Sequence, residues 1–298
     1  MAQLVECVPN FSEGRRGAVI DALADAVGQT PGVRLLDVQA DASHNRCVIS
    51  FIGGLEAVTA AALAASRRAV ELIDMNTHRG EHPRLGAVDV IPLVPIAGVS
   101  MPECVTAARA LGTRLWEELR VPVYFYAEAA ARVERRRLPD IRKGEYEGLR
   151  AKLADPQWAP DVGDPVPHPT AGVTVVGARR PLIAYNINLR TDDVEIARRI
   201  AKTVRESSGG LPAVQAMGVR SASGQAQVSM NLLDYTTTPV HRAYELVQSE
   251  AARLGVEVLE SEVVGLVPLD AVADAARAYL KLRAFDREQI LEARLMEE

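Results

Sequence analysis

The sequence is poor in rings and thiols. Aromatic residues make up only 4% of its 298 positions, so a chain that is 48% hydrophobic has to build its core from aliphatic side chains. There are three cysteines, Cys7, Cys47 and Cys104. An odd number without metal-type spacing argues against a disulfide framework or a zinc ribbon, and fits buried thiols in a reducing cytoplasm. No apolar run is long enough to span a bilayer. Met1 to Pro9 carries Glu6 and no preceding basic segment, which fails the signal-peptide pattern. Positive charge is not in excess either: the formal net charge is −5, which gives no global reason to expect nucleic acid or an anionic membrane as partner. Any anion site must be local. A nucleotide-binding glycine fingerprint and a nucleophile elbow are both missing, and Gly53-Gly54 reads as a tight strand-to-helix turn.

What is present is a pattern of elements that occurs twice. The length favours one large domain or two ordinary ones, and two fit the pattern. Leu4 to Val8 reads as a strand, Val19, Ile20, Leu23 and Val27 recur at helical spacing, and Val33 to Gln39 and Arg46 to Gly53 read as strands around the polar turn Asp41 to Asn45. A helix over Leu55 to Ile73 and a buried strand over Val88 to Pro95 complete a β-α-β-β-α-β order, the ferredoxin-like unit. The order returns as a strand over Leu182 to Leu189, a helix capped by Asp192 and ending at Glu206, strands over Val214 to Val219 and Ala226 to Leu233 around the turn Ser221 to Gly224, a helix over Pro239 to Leu254, and a strand over Val256 to Val264. Between the copies come a helix over Pro102 to Leu119, a strand over Val121 to Tyr126, and the irregular stretch Asp155 to Gly172, read as an interdomain crossing. Helices over Leu269 to Leu282 and Arg287 to Met296 close the chain. The expected fold is α+β, two ferredoxin-like subdomains in tandem with helices packed on their sheets, covering residues 1–178 and 179–298.

The two copies differ at one connection. The second passes from helix to last strand through Leu254 and Gly255, whereas the first spends Asp74 to Ala87, with two histidines, two arginines, two carboxylates and two glycines. A sheet closes without such a loop, so its length points to function. His78 and His82 are four apart, but Gly80 and Pro83 make the segment a poor helix and the metalloprotease pattern is absent, so zinc is disfavoured. A histidine in a polar loop remains the best general acid or base available. The basic cluster Arg132, Arg135, Arg136, Arg137, Arg142 and Lys143 reads as a solvated face, or as an attractor for a polyanionic tail.

Val5 to Gly14, Leu35 to Val38, Gly80 to Asp89 (Gly-Glu-His-Pro-Arg-Leu-Gly-Ala-Val-Asp), Val121 to Tyr124, Gly144 to Glu147, Gly177 to Arg179, Asn186 to Leu189 and Val264 to Leu269 together resemble the glutamate formimidoyltransferase family. The resemblance runs through nearly the whole chain, and the segment around His82 is its most specific part. It implies a transferase that moves a formimino group between N-formimino-L-glutamate and tetrahydrofolate, in histidine degradation and one-carbon metabolism, as a cytoplasmic homodimer with a ligand tunnel between its halves. Tetrahydrofolate is then a co-substrate, and no metal is expected. The catalytic histidine of the family falls on His82. The folate-contacting stretch falls on Gly163, Asp164, Pro165, Val166, Pro167, His168, Pro169, Thr170, Ala171 and Gly172. This stretch lacks a tryptophan found in animal members, and Gln39 replaces a carboxylate common after the Asp-Val pair. The helical cyclodeaminase domain fused to animal members is not in the sequence, so ammonia elimination is not expected.

That reaction exchanges an amidine carbon between N5 of tetrahydrofolate and the α-amine of glutamate. One nitrogen must lose a proton and the other must gain one, so an imidazole between them serves both needs. The substrate carboxylates call for cationic partners, for which Arg84 and Arg179 are the first candidates and Arg135 and Arg136 the next. Three other readings stay open: formyl transfer from N-formylglutamate on the same fold, a folate-binding protein without turnover, and a metal-dependent hydrolase using His78 and His82.

Overall fold

The structure, a computed structural model, describes residues 3–221 and 223–295. Met1, Ala222 of the turn expected at Ser221 to Gly224, and Met296 of the last expected helix lie outside the described residues. The chain divides into two compact units between Arg179 and Arg180.

In the first unit β1 (Leu4–Cys7), β2 (Asn10–Phe11), α1 (Gly17–Gly28), β3 (Val33–Asp41), β4 (Arg46–Gly53), α2 (Leu55–Leu72) and β5 (Val88–Ala97) follow the ferredoxin-like order. β1 and β2 both pair antiparallel with β4 on one side and β5 on the other, and β3 pairs with β4. They are one broken strand. Proline cannot donate to a ladder, and the break falls at Val8 and Pro9, where Asn10 Nδ2 turns back onto the Val8 carbonyl at 2.9 Å. α1 and α2 cover one face with aliphatic side chains, among them Leu23, Val27, Val58, Ala62 and Ala69, all buried.

The sheet does not stop at four strands. α3 (Met101–Leu119) leads to β6 (Val123–Ala127), and after two short helices, α4 (Leu138–Arg142) and α5 (Leu149–Ala154), the chain adds β7 (Thr174–Ala178) between β5 and β6, parallel to both. The Ser100 side chain and Glu103 form a capping box at the start of α3, worth about 1 kcal/mol. β7 is absent from the sequence reading because a strand buried along its whole length shows no apolar–polar alternation. Its presence corrects the reading of 155–172: that stretch runs inside the first unit, between α5 and β7, and does not cross between domains. At Gly177 a Cβ would come within 2.4 Å of the Tyr126 ring, so glycine lets β6 and β7 lie side by side with that ring between them. Here the sheet is covered on both faces, by α3 on one and on the other by Ile141, Leu149 and Leu153, which pack with Leu85, Val90, Tyr124 and Val175.

In the second unit β8 (Ile183–Leu189), α6 (Val194–Val204), β9 (Val214–Arg220), β10 (Ala226–Leu232), α7 (Val240–Arg253) and β11 (Val258–Val264) form a four-stranded sheet in the order β11-β8-β10-β9, the ferredoxin-like arrangement again. The α6 cap is Asp193, one residue later than expected; its carboxylate accepts from Glu195 N at 2.9 Å. α8 (Leu269–Leu280) is followed by a single 3-10 turn and the short α9 (Leu291–Leu295) in place of one helix from Arg287. Among the described residues no helix is long and apolar enough to cross a membrane.

Candidate active site

Three segments of the first unit meet at the edge where β5 begins: the end of β2, the tip of the β3–β4 hairpin, and the loop from Asp74 to Ala87. The break at Pro9 delivers Ser12, whose hydroxyl donates to Gly86 O at 2.7 Å and whose amide donates to Ala87 O at 3.0 Å. The hairpin tip turns at Asn45, in the left-handed region at φ 49°. Asn45 Oδ1 accepts from Gly14 N at 3.0 Å, and its Nδ2 donates to Arg79 O at 2.9 Å, so one side chain binds the tip to both other segments. Gly80 rests on this tip, where a Cβ would stand 2.2 Å from the His44 carbonyl oxygen.

His78 and His82 have different surroundings. Both ring nitrogens of His78 are engaged: Nε2 lies 2.9 Å from Asn45 O, which only accepts, and Nδ1 accepts from Arg84 Nε at 3.3 Å. This fixes a neutral tautomer and leaves no lone pair for a metal, against the zinc reading. Among the described residues no group of three or more His, Cys, Asp or Glu is placed to hold one. His82 Nδ1, by contrast, is buried with no hydrogen-bond partner among the described residues. Its ring makes a T-shaped contact with that of His44, with centroids 6.0 Å apart. Burial first, then Arg46 and Arg142, push His82 down to about 2; His44 adds to the shift, and a bond to the Pro83 backbone opposes it.

Of the two arginines beside His82, Arg142 belongs to the basic cluster noted in the sequence and Arg46 was not singled out there. Arg46 donates to Asn10 Oδ1, and Arg142, at the end of α4, pairs with the buried Asp89, which also accepts from Leu85 N at 2.9 Å. Burial and the neighbouring Arg142 push Arg46 down to about 10. Arg46 Nε and Arg142 Nε are both buried without hydrogen-bond partners among the described residues. A buried unpartnered donor costs about 1–3 kcal/mol, so the two guanidinium Nε–H groups, whose charges both act on His82, call for a ligand with acceptor oxygens. Phe11, Ser12, His44, Arg46, His82 and Asp89 line the cleft together with the inner parts of Asn45, His78 and Arg84.

The arginines chosen from sequence have other duties. Arg84, only 6% exposed, donates to Glu145 Oε2 at 2.9 Å and to both carboxylate oxygens of Glu147 at 2.9 and 2.6 Å. It braces His78 between two carboxylates. Arg135, 1% exposed, pairs with Asp161 at 2.5 Å, donates to the carbonyls of Gln157 and Ala159, and stacks on Tyr124 and Trp158. A guanidinium so enclosed spends its donors inside the protein, which speaks against the choice of Arg135. Arg136 forms a surface pair with Glu128 at 3.0 Å. Arg179 follows the far end of β7 from Gly172, with its amide on Leu93 O at 3.0 Å and its side chain hydrogen-bonded to Tyr126.

The stretch Gly163 to Gly172 does meet the histidine loop. Met75 N donates to Thr170 O at 2.8 Å, Ala87 N to Ala171 O at 2.9 Å, and Val173 N to Leu85 O at 3.2 Å. Asn76 Nδ2 reaches Pro169 O at 2.9 Å, and Gly172, at φ 71°, lies against Leu85 O and the Tyr146 ring. His168 closes the turn by accepting from the amides of Thr170 and Ala171 at 3.2 and 3.0 Å. The front of the stretch diverges: Gly163, at φ 98°, packs on Trp116, and Val166 is exposed.

Residues 4–179 match the family described as formiminotransferase domain, N-terminal subdomain, and residues 184–294 match that described as formiminotransferase domain. The chain is 47% identical over 298 residues to the glutamate formimidoyltransferase of Streptococcus pyogenes, covering 99% of this chain and 100% of that one. It is 48% identical over 295 residues to the glutamate formimidoyltransferase of Thermoplasma acidophilum, covering 98% and 97%. To the formimidoyltransferase-cyclodeaminase of Gallus gallus it is 54% identical over 288 residues, and there it spans 53% of the longer protein.

Proposed function

Because the chain belongs to the formiminotransferase family, we propose that it transfers a formimino group between N-formimino-L-glutamate and tetrahydrofolate, with His82 moving the proton. Its activity is that of a glutamate formimidoyltransferase, and the reaction gives 5-formimidoyltetrahydrofolate and L-glutamate. The observation that carries the reading is a set of unpartnered nitrogens: Arg46 Nε and His82 Nδ1 at one cleft, and Arg142 Nε, whose guanidinium charge acts on both residues.

N-Formiminoglutamate and the folate tail are carboxylates, so each brings the acceptors that Arg46 and Arg142 lack. A bound carboxylate also offsets the positive field on His82. With the field offset, the imidazole rises toward the range in which it can take the proton from N5 and deliver it to the departing glutamate nitrogen. Arg84 holds His78, and His78 holds the hairpin carbonyl that positions the loop. The turn around His168 to Gly172 backs the loop from the other side, and we take it as the wall nearest the pterin. Tetrahydrofolate is a co-substrate in this scheme. A cytoplasmic location fits the free, buried thiols of Cys7, Cys47 and Cys104, and the family resemblance favours a homodimer, which light scattering checks.

The test is His82→Asn. Turnover is expected to fall about a hundredfold to ten-thousandfold while tetrahydrofolate still binds. A variant that keeps most of its turnover removes His82 from the mechanism.

A further inference from the structure

His44 lies on the hairpin tip, where its ring and that of His82 are inclined at 65° with centroids 6.0 Å apart. A water molecule or a small ring rotation spans that separation. His44 Nδ1 is 2.8 Å from Asp41 Oδ2. The other oxygen of that carboxylate is saturated, accepting from Ser43 N at 2.8 Å, Ser43 Oγ at 2.6 Å and His44 N at 2.9 Å. An ionised acceptor on Nδ1 places the ring proton there and leaves Nε2 as the one nitrogen free to gain a second. Asp41, His44 and His82 therefore stand in the order carboxylate, imidazole, imidazole.

We infer that His44, backed by Asp41, is the second station of a proton relay that begins at His82. This rests on the transferase reading given above. When N5 attacks the formimino carbon, the new C–N5 bond forms and the N5–H bond must break. The proton passes to His82 and on to His44 Nε2, which becomes an imidazolium held against Asp41. As the bond from carbon to the glutamate nitrogen breaks, the proton returns through His82 to that nitrogen. One C–N bond forms, one breaks, and one proton moves between the two nitrogens.

The cleft gives a reason for a second station. His82 shares it with Arg46 and also feels the charge of Arg142, and both guanidinium groups repel an imidazolium, while His44 is exposed and has a carboxylate partner. Burial raises the Asp41 carboxyl, but the hydrogen bonds from Ser43 and His44 outweigh it and hold the group well below the usual carboxylate range. Asp41 thus stays charged throughout turnover.

The experiment compares His44→Gln, His44→Ala and His82→Asn in steady-state assays with N-formiminoglutamate and tetrahydrofolate, with and without added imidazole, alongside thermal melts. Expected for His44→Gln is a kcat lower by about tenfold to a hundredfold, with KM for tetrahydrofolate within twofold of the parent. Imidazole in the assay should restore a measurable part of the kcat of His44→Ala. Parental kcat in His44→Gln beside an inactive His82→Asn overturns the relay and leaves the transferase site standing. A lost kcat accompanied by a lowered melting temperature and no rescue shows that His44 only shapes the hairpin, and also overturns it. Full activity of His82→Asn overturns the site reading and the relay together.

Discussion

Met75 and Thr170 are 95 positions apart in the chain, yet the amide of the first donates to the carbonyl of the second at 2.8 Å. This bond and its neighbours from Ala87 to Ala171 and from Val173 to Leu85 join the histidine loop to the turn before β7. The geometry of His82 thus depends on a segment that forms much later along the chain.

Gly80 shows how little room the loop has. Gly80→Ala would place a methyl group 2.2 Å from the His44 carbonyl oxygen, a backbone atom that cannot rotate away. The loop or the hairpin must shift, and misalignment of this size lowers turnover by roughly a hundredfold. Steady-state kinetics and a thermal melt of the variant check this; parental kcat would mean that the loop tolerates the shift.

Acid should destabilise the protein through its histidines. Burial, followed by the Arg46 and Arg142 charges, holds folded His82 at about 2, whereas the unfolded ring titrates near 6.5. Between those values the unfolded chain binds more protons than the folded one, so stability is full above pH 6.5 and declines as pH falls below it. Burial lowers His78 and His168 too, and they act in the same direction. Melting temperatures measured from pH 7.5 down to about 4.5 should decline, and His82→Gln should flatten the decline. An identical slope in the variant contradicts this.

Arg46→Met removes one of the two cations nearest His82. The imidazole should then titrate higher than in the parent, by proton NMR, and KM for N-formiminoglutamate should rise by about tenfold to a hundredfold, the equivalent of one charge-assisted hydrogen bond. An unchanged KM would move carboxylate recognition away from this residue.

Arg135 and Arg84 should behave differently from Arg46. Arg135→Met leaves Asp161, itself 7% exposed, without its cation, and should cost about 3–5 kcal/mol in urea unfolding. Arg84→Met should cost less, about 1–2 kcal/mol, because Glu145 and Glu147 are 43% and 60% exposed and water can replace the guanidinium. In both variants KM should stay within twofold of the parent. A raised KM with an unchanged unfolding midpoint would make either arginine a substrate clamp after all.

The histidine loop stood out in the sequence because the two halves share an element order and differ in one connection, and the structure has that difference: 15 residues separate α2 from β5, and four separate α7 from β11. Local periodicity was enough for most helices and antiparallel strands. β7 was not legible, since five buried residues in a parallel setting show no alternation. The arginines were not legible for another reason. Arg46 follows a polar turn and Arg142 sits in a basic run, and neither pattern reveals that burial leaves one nitrogen of each without a partner. His44 is a third histidine, in a segment that meets the first two across the sheet edge, and only the fold brings it to them.

β7 also bears on how the protein comes to be made. A nascent chain that has reached Ala97 already contains a complete ferredoxin-like pattern, and nothing in that pattern marks it as unfinished. Its last strand, β5, nevertheless keeps one hydrogen-bonding edge open until residues 174–178 emerge and dock there. The first half therefore cannot be cut out at its apparent boundary, and a fragment ending near position 100 should aggregate through that edge where one reaching position 180 stays in solution.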